Sequence, residues 1–148
     1  VRTWCLARRS GRPESYPQPR PRRPIEAHHL AIVAIRKGKR IAVTRGLAGG
    51  LLAELWNFPA AFGNSSQEAL DNLQRKLQRE IRSPITWGSP LGALQHRITY
   101  RSIRATIYAA TMGDGADTTS LHWFTLNDLN GAAISQLARK AAEILRQA

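Results

Sequence analysis

Apolar residues along the chain follow strand-like spacing in some stretches and helix-like spacing in others. His29-Leu30-Ala31-Ile32-Val33-Ala34-Ile35 is a short, largely apolar run. Arg36-Lys37-Gly38-Lys39 is a polar turn with a glycine, and Arg40-Ile41-Ala42-Val43-Thr44-Arg45 alternates polar and apolar. Period-two alternation buries one side of a strand, so these residues predict a β-hairpin. Residues 46–63, rich in Gly and large apolar side chains, read as a loop. Residues 66–82 predict a helix: Leu70, Leu73, Leu77 and Ile81 recur every three or four positions. Ser65 or Ser66 can cap it, and Ser83-Pro84 stops it. Ile85-Thr86-Trp87 predicts a short strand, and Leu91-Gly92-Ala93-Leu94 leads into a turn. Residues 102–109 alternate strictly, with Ile103, Ala105, Ile107 and Ala109 on one face. Gly113-Asp114-Gly115 marks a loop, Leu121-His122-Trp123-Phe124 a further strand, and Asn127-Asp128 a short turn. Residues 133–147 predict a closing amphipathic helix. There is no internal repeat. The order β-β-α-β-β-β-α describes an α+β domain, a mixed β-sheet with helices packed on it.

The amino-terminal stretch does not share this patterning. Residues 1–24 hold seven arginines, one acid (Glu14) and five of the eight prolines. Pro17, Pro19, Pro21 and Pro24 alternate with other residues, a run that favours extended polyproline geometry over helix or inner strand. This divides the chain into a basic linker, 1–24, and a folded domain, 25–148. With Val1 rather than Met at its start, the chain reads as a piece of a longer protein. Composition sharpens the picture through charge: 22 Lys and Arg against 10 Asp and Glu, a net +12 over 148 residues. A field of that sign attracts polyanions, nucleic acid first and anionic membrane second. No apolar run approaches the ~18–20 residues of a membrane span, and no signal peptide is visible. Cys5 is the one cysteine, so no disulfide forms within the chain, which fits a reducing compartment.

Three segments carry a family resemblance. They are Gly50-Leu51-Leu52-Ala53-Glu54-Leu55-Trp56-Asn57-Phe58-Pro59, then Gly92-Ala93-Leu94-Gln95-His96-Arg97-Ile98-Thr99-Tyr100, then Leu121-His122-Trp123-Phe124-Thr125-Leu126. In order and spacing they resemble the Nudix-related carboxy-terminal domain of MutY-type adenine DNA glycosylases. That family has a GLL-x2-LWEFP loop, a His-x-Phe-Ser/Thr-His hairpin and a W-x-x-L strand before its last helix. The resemblance covers roughly residues 26–147 and implies a Nudix-like fold. Trp4-Cys5-Leu6-Ala7-Arg8 with Tyr16-Pro17 resembles the exit from the family's iron–sulfur cluster. It implies that Cys5 is a thiolate ligand of a 4Fe-4S cluster in the intact parent, whose other cysteines precede Val1.

A Nudix hydrolase needs the box G-x5-E-x7-R-E-U-x-E-E-x-G-U, with U apolar, whose glutamates hold divalent metal at a diphosphate. Helix periodicity puts Arg75, Leu77 and Glu80 in register. The other acids of the box become Gln67, Lys76 and Arg79, and its glycines Ala61 and Arg82. Cations in place of two carboxylates cannot assemble Mg²⁺. Lys76, Arg79 and Arg82 then either face a DNA backbone or form a solvated helix face.

The family removes adenine mispaired with 8-oxoguanine. Its catalytic domain, absent from this chain, flips the adenine out, while the terminal domain inspects the damaged base. The resemblance implies that residues 96–101 do so, with Thr99 at the family's Ser/Thr position. Its hydroxyl donates and accepts, and 8-oxoguanine differs from guanine by a C8 carbonyl and a protonated N7. Ile98 stands for the usual Phe and can wedge against a base. Tyr100 stands for the usual His and can reach a phosphate. Arg97 and Arg101 flank the tip as phosphate partners. His96 either takes part or fixes the hairpin. Thr99 is otherwise an ordinary strand threonine. His28 and His29 begin a strand on opposite faces and read as structural or solvated. Trp56, Phe58, Trp87 and Trp123 read as core. The implied partner is duplex DNA with 8-oxoguanine·adenine mispairs, bound by a monomer in the bacterial cytoplasm at the nucleoid, with no membrane and no cofactor for the domain itself. Two other functions stay open: a divergent Nudix-type nucleotide diphosphate hydrolase, and a non-specific nucleic-acid-binding module.

Overall fold

The computed structural model describes residues 4–15, 21, 23–47, 50–81, 83–113 and 121–148. Tyr16, Pro17 and Pro19 of the linker, its Arg2, Arg20 and Arg22, Arg82 of the box register and Asp114-Gly115 of the expected loop lie outside them.

The continuous apolar run becomes the central strand, β1 (Glu26–Lys37), in which Leu30 to Ile35 are all buried. A strand buried on both faces has no polar side to show, which is why its sequence does not alternate. One edge of β1 pairs in parallel with β6 (Arg101–Met112), which pairs antiparallel with β5 (Ile85–Ile98). The other edge is shared by β4 (Ala60–Gly63) and, beyond a turn at Gly38, by β2 (Arg40–Arg45). Strand β2 also pairs with β3 (Trp56–Asn57) and β7 (His122–Thr125).

Helices cover both faces of this mixed sheet. On one side α2 (Ser66–Glu80) presents Ala69, Leu73 and Leu77 to Ala31, Val33, Ile35 and Ala110. On the other, α4 (Gln136–Gln147), preceded by the single turn α3 (Asp128–Gly131), presents Leu137, Ala141 and Leu145 to Leu30, Ile32, Ile103 and Ile107. Each fully buried Leu or Ile contributes about 1.5–3 kcal/mol. This is the α+β architecture expected. Helix α2 approaches β4 so closely that a Cβ on Gly63 would sit 2.4 Å from the Ala69 nitrogen, so only glycine fits there.

Several elements differ from expectation. Residues 46–63 are not a loop throughout, since β3 and β4 lie within them. Strands of two and four residues are too short for alternation to reveal; they form because the edges of β1 and β2 need backbone partners. The pieces expected at 85–87 and 91–94 are one strand, β5. Its register shifts between Trp87 and Pro90, and again between Pro90 and Gly92. A bulge tolerates a proline that donates no ladder hydrogen bond. Inside the expected linker, α1 (Leu6–Arg9) is one helical turn and Pro13–Ser15 a 3-10 turn. The alternating prolines begin only at Pro17, and no residue of α1 is buried. Helix α4 starts at 136 rather than 133 because Ser135 caps it, its hydroxyl accepting from the Ala138 N–H at 3.0 Å. Among the described residues, no helix is long and apolar enough to cross a membrane.

Candidate nucleic-acid interface

Strands β5 and β6 end in a two-residue turn, Thr99-Tyr100, closed by the pair Ile98↔Arg101. The right-handed twist of paired strands favours turns with positive φ at the first central residue, a place that suits glycine or asparagine. Here Thr99 occupies it at φ 51°. For a β-branched residue the left-handed region costs roughly 1–2 kcal/mol. The Thr99 hydroxyl donates to the Ile98 carbonyl at 2.7 Å, and the side chain is exposed.

Below the tip, neighbouring residues point to opposite faces. Arg97 is exposed on the α2 side. Ile98 packs on the α4 side, and His96 faces that side too, beside Lys140 of α4, whose ammonium donates to the Gln95 carbonyl at 3.5 Å. Burial, and secondarily the Lys140 charge, hold the His96 imidazole below its ordinary pKa of 6.5. The turn is tied to β1 by the Glu26 N–H, which donates to the Tyr100 carbonyl at 2.9 Å. The guanidinium groups of Arg23 and Arg101 lie 5.4 and 5.5 Å from the Tyr100 ring centroid, within cation–π range. Arg101 is not a free phosphate partner: its Nε sits 3.6 Å from the Glu26 carboxylate and is buried without a hydrogen bond. The six expected residues thus share one hairpin. Thr99 and Arg97 are its exposed groups, while the other four are partly covered.

The positions of the box acids lie on α2 in a regular helix. Gln67 donates to Asp71, and Arg75 to the Asp71 carbonyl and Asn72. Asn72, Arg75, Lys76, Arg79 and Glu80 line one shallow recess, which brings three cations and one carboxylate together. Among the described residues no group of three or more His, Cys, Asp or Glu could hold a metal ion. Cys5 is exposed. It offers one sulfur ligand where an iron–sulfur cluster needs four.

The remaining motif residues are structural. Phe58 is buried; Trp56, Trp87 and Trp123 are half-buried. Arg45 stacks on Trp56, 3.8 Å from the ring centroid, and His122 and Phe124 meet the same indole. Asn57, where the loop motif has Glu, is a contact that sequence reasoning missed. It is buried, accepts a hydrogen bond from the Ser135 hydroxyl and donates to the Leu55 carbonyl. A departure from a motif is the only signal that could have found it. His28 contacts Glu26 and Phe62 on one face of β1; His29 meets the Ser66 hydroxyl at 3.1 Å on the other.

A family model described as the NUDIX domain matches residues 31–143. By sequence, no curated protein matches the chain. By structure the chain is similar to a NUDIX hydrolase from Nitrosomonas europaea, at TM-score 0.64 and 10% identity over 82% of this chain and 90% of that one. It is also similar to a MutT NUDIX hydrolase from Burkholderia pseudomallei, at TM-score 0.60 and 19% identity over 80% and 97%. The carboxy-terminal domain of mouse MUTYH, solved in complex with human PCNA, matches at TM-score 0.58 and 20% identity over 81% and 88%. Identities this low speak for the fold alone, and it is the Nudix-like fold expected.

Proposed function

The chain belongs to the NUDIX domain family, and from that premise we propose that it is the lesion-reading carboxy-terminal domain of a MutY-type adenine DNA glycosylase, which acts in base excision repair on adenine opposite 8-oxoguanine. The observation that carries this reading is Thr99: a β-branched residue held at positive φ on an exposed hairpin tip. Strain of this kind collects at functional sites. The hydroxyl has one proton, and it is directed at the Ile98 carbonyl. What faces outward is therefore acceptor capacity. The N7 of guanine also accepts and finds no partner there, whereas the N7–H of 8-oxoguanine donates. One such hydrogen bond supplies about 1–3 kcal/mol of discrimination. Residues 1–24 are then the exit from the cluster region and the interdomain linker, with Cys5 a ligand of the parent's 4Fe-4S cluster. Residues 25–148 are the recognition domain, monomeric and bacterial, at the nucleoid. The chemical step belongs to the absent catalytic domain.

The test joins residues 1–148 to that catalytic domain and measures adenine release from 8-oxoguanine·adenine and guanine·adenine duplexes. Thr99→Ala and the isosteric Thr99→Val are expected to slow the damaged substrate by roughly 5- to 150-fold more than the undamaged one, the factor that such a bond confers. Equal effects on both substrates reduce Thr99 to a strand residue. A second reading has its own support: several of the similar solved structures carry hydrolase or diphosphatase names, which favours a divergent Nudix nucleotide diphosphate hydrolase. The cations at Lys76 and Arg79 weigh against it, and a diphosphatase assay with Mg²⁺ or Mn²⁺ separates the two. Equal affinity for damaged and undamaged duplex would favour a non-specific binding module instead.

A further inference from the structure

On the α2 side of the sheet, three adjacent strands place His29, Arg104 and Gln95 in one row, because His29 pairs with Arg104 and Arg104 with Gln95. Neighbouring strands lie about 4.7–4.9 Å apart, so the row is compact. Next to it along the strands stand small residues, Ala93 and Thr106, and they leave a groove of about 400 Å³. Ser66, at the start of α2, closes its far wall. The lining contains a guanidinium, an imidazole, two hydroxyls and an amide, and no carboxylate. Arg104 is exposed, and no carboxylate among the described residues pairs with it. The one acid in the first turn of α2, Glu68, is turned back onto Asn64.

We propose that this groove binds a backbone phosphate of the DNA strand that reaches the hairpin tip, with Arg104 as the charged contact and His29, Ser66 and Gln95 as hydrogen-bonding partners. The inference rests on the nucleic-acid reading of the hairpin but not on its lesion specificity. Direction along β5 supports DNA over an isolated ligand. Arg97 stands two residues from Gln95 on the same face and pairs with Ser102, next to Arg104 on β6. Diagonal positions of this kind are about 7–8 Å apart. Over such a distance a strand, with one charge per about 3.4 Å of axis, presents at least two phosphates. Arg97 and Arg104 thus form a track from the tip at Thr99 towards the start of α2.

The experiment measures binding of the chain to 8-oxoguanine-containing and undamaged duplexes across a salt series, for wild type, Arg104→Ala, Arg104→Lys and Ala93→Phe. Arg104→Ala is expected to weaken both duplexes alike and to flatten the log–log salt slope by about 0.9, with Arg104→Lys restoring the slope. Ala93→Phe fills the groove with the charge intact and is expected to weaken both duplexes as well. Circular dichroism and thermal melting verify that each variant is folded. An unchanged slope in folded Arg104→Ala overturns the groove and leaves the reading by Thr99 standing, whereas a wild-type chain that binds no duplex overturns both. A parallel titration with deoxyadenosine monophosphate tests the other source of phosphate: shifts of the Arg104 and His29 amides by the nucleotide, without any by duplex, overturn the DNA assignment in favour of a free-nucleotide site.

Discussion

Helix α2 and the β5–β6 hairpin tip stand at opposite extremes of local regularity. In α2 each local rule agrees with the others. Ser65 caps it, Glu68 reaches back to the Asn64 N–H, and Ala69, Leu73 and Leu77 form the buried stripe. At the tip one rule is broken, because a threonine takes a backbone conformation suited to glycine. The helix is the part that hydrolases of this fold use for chemistry, and here it is the ordinary part. The hairpin is the ordinary part of such a sheet, and here it holds a β-branched residue in the left-handed region. Consistent local signals mark scaffold. An unforced violation marks a place where something other than stability has chosen the residue.

The largest effects test whether α2 and its counterpart α4 are scaffold. Leu73→Ala opens a cavity under α2 and is expected to cost about 2–5 kcal/mol in urea unfolding, with the preference between damaged and undamaged duplex unchanged. A changed preference at equal fold would make α2 part of the reading surface. Ser135→Ala comes next. It removes the cap of α4 and strips the buried Asn57 carbonyl of its donor, so a loss of about 1–3 kcal/mol is expected. Adding Asn57→Leu to that variant removes the stranded polar group and should recover part of the loss. No recovery would mean that the cap alone matters.

These two elements also show what the sequence made visible. The helix was legible because its apolar period, cap and proline stop all lie within one window of residues. The central strand was legible from an unbroken apolar run. Strands β3 and β4 were not, because their existence depends on partners far along the chain. For the same reason β5 read as two pieces: a bulge at Pro90 breaks alternation without ending the strand. At the candidate site, the position of the hairpin turn was legible through a motif. Positive φ at Thr99, the opposed faces of Arg97 and Ile98, and the capture of Arg101 by Glu26 follow from pairing register, which no local pattern encodes.

Substitutions at the broken rule should separate stability from reading. Thr99→Gly removes a left-handed threonine and adds unfolded-state freedom, so folding stability should hold or rise by about 0.5–1 kcal/mol, while discrimination between the duplexes falls. A fall in stability instead would show that Thr99 serves the hairpin as scaffold, just as Ser65 serves α2. The converse test writes acids back into the helix. Lys76→Glu with Arg79→Glu restores two positions of the hydrolase box. The pair is expected to lower stability by about 0.3–1 kcal/mol per charge at most, because acids sit poorly near a helix carboxy terminus. It should yield no Mg²⁺-dependent diphosphatase activity, since Gln67 and Ala61 still depart from the box. Appearance of that activity would revive the hydrolase reading.

The smallest expected effect is on pH dependence, and it concerns the base of the hairpin rather than its tip. His96 is held below its ordinary pKa of 6.5 by burial and then by Lys140. The unfolded chain therefore binds a proton near pH 6.5 that the folded chain still refuses. Stability from this group is fully present above pH 6.5. It declines as pH falls below that value, until the folded imidazole titrates too. His96→Gln keeps a polar side chain of similar reach without the titration. The difference in urea midpoint between wild type and His96→Gln should therefore shift against wild type as pH is lowered from neutral to one unit below 6.5. Lys140→Gln removes the second cause and should shrink that shift without abolishing it, because burial remains. A constant difference across this range would mean that His96 protonates equally in both states. The hairpin base would then be as open to solvent as the tip, and the proposed reading by Thr99 would have to work from a mobile arm rather than from a strand pinned to α4.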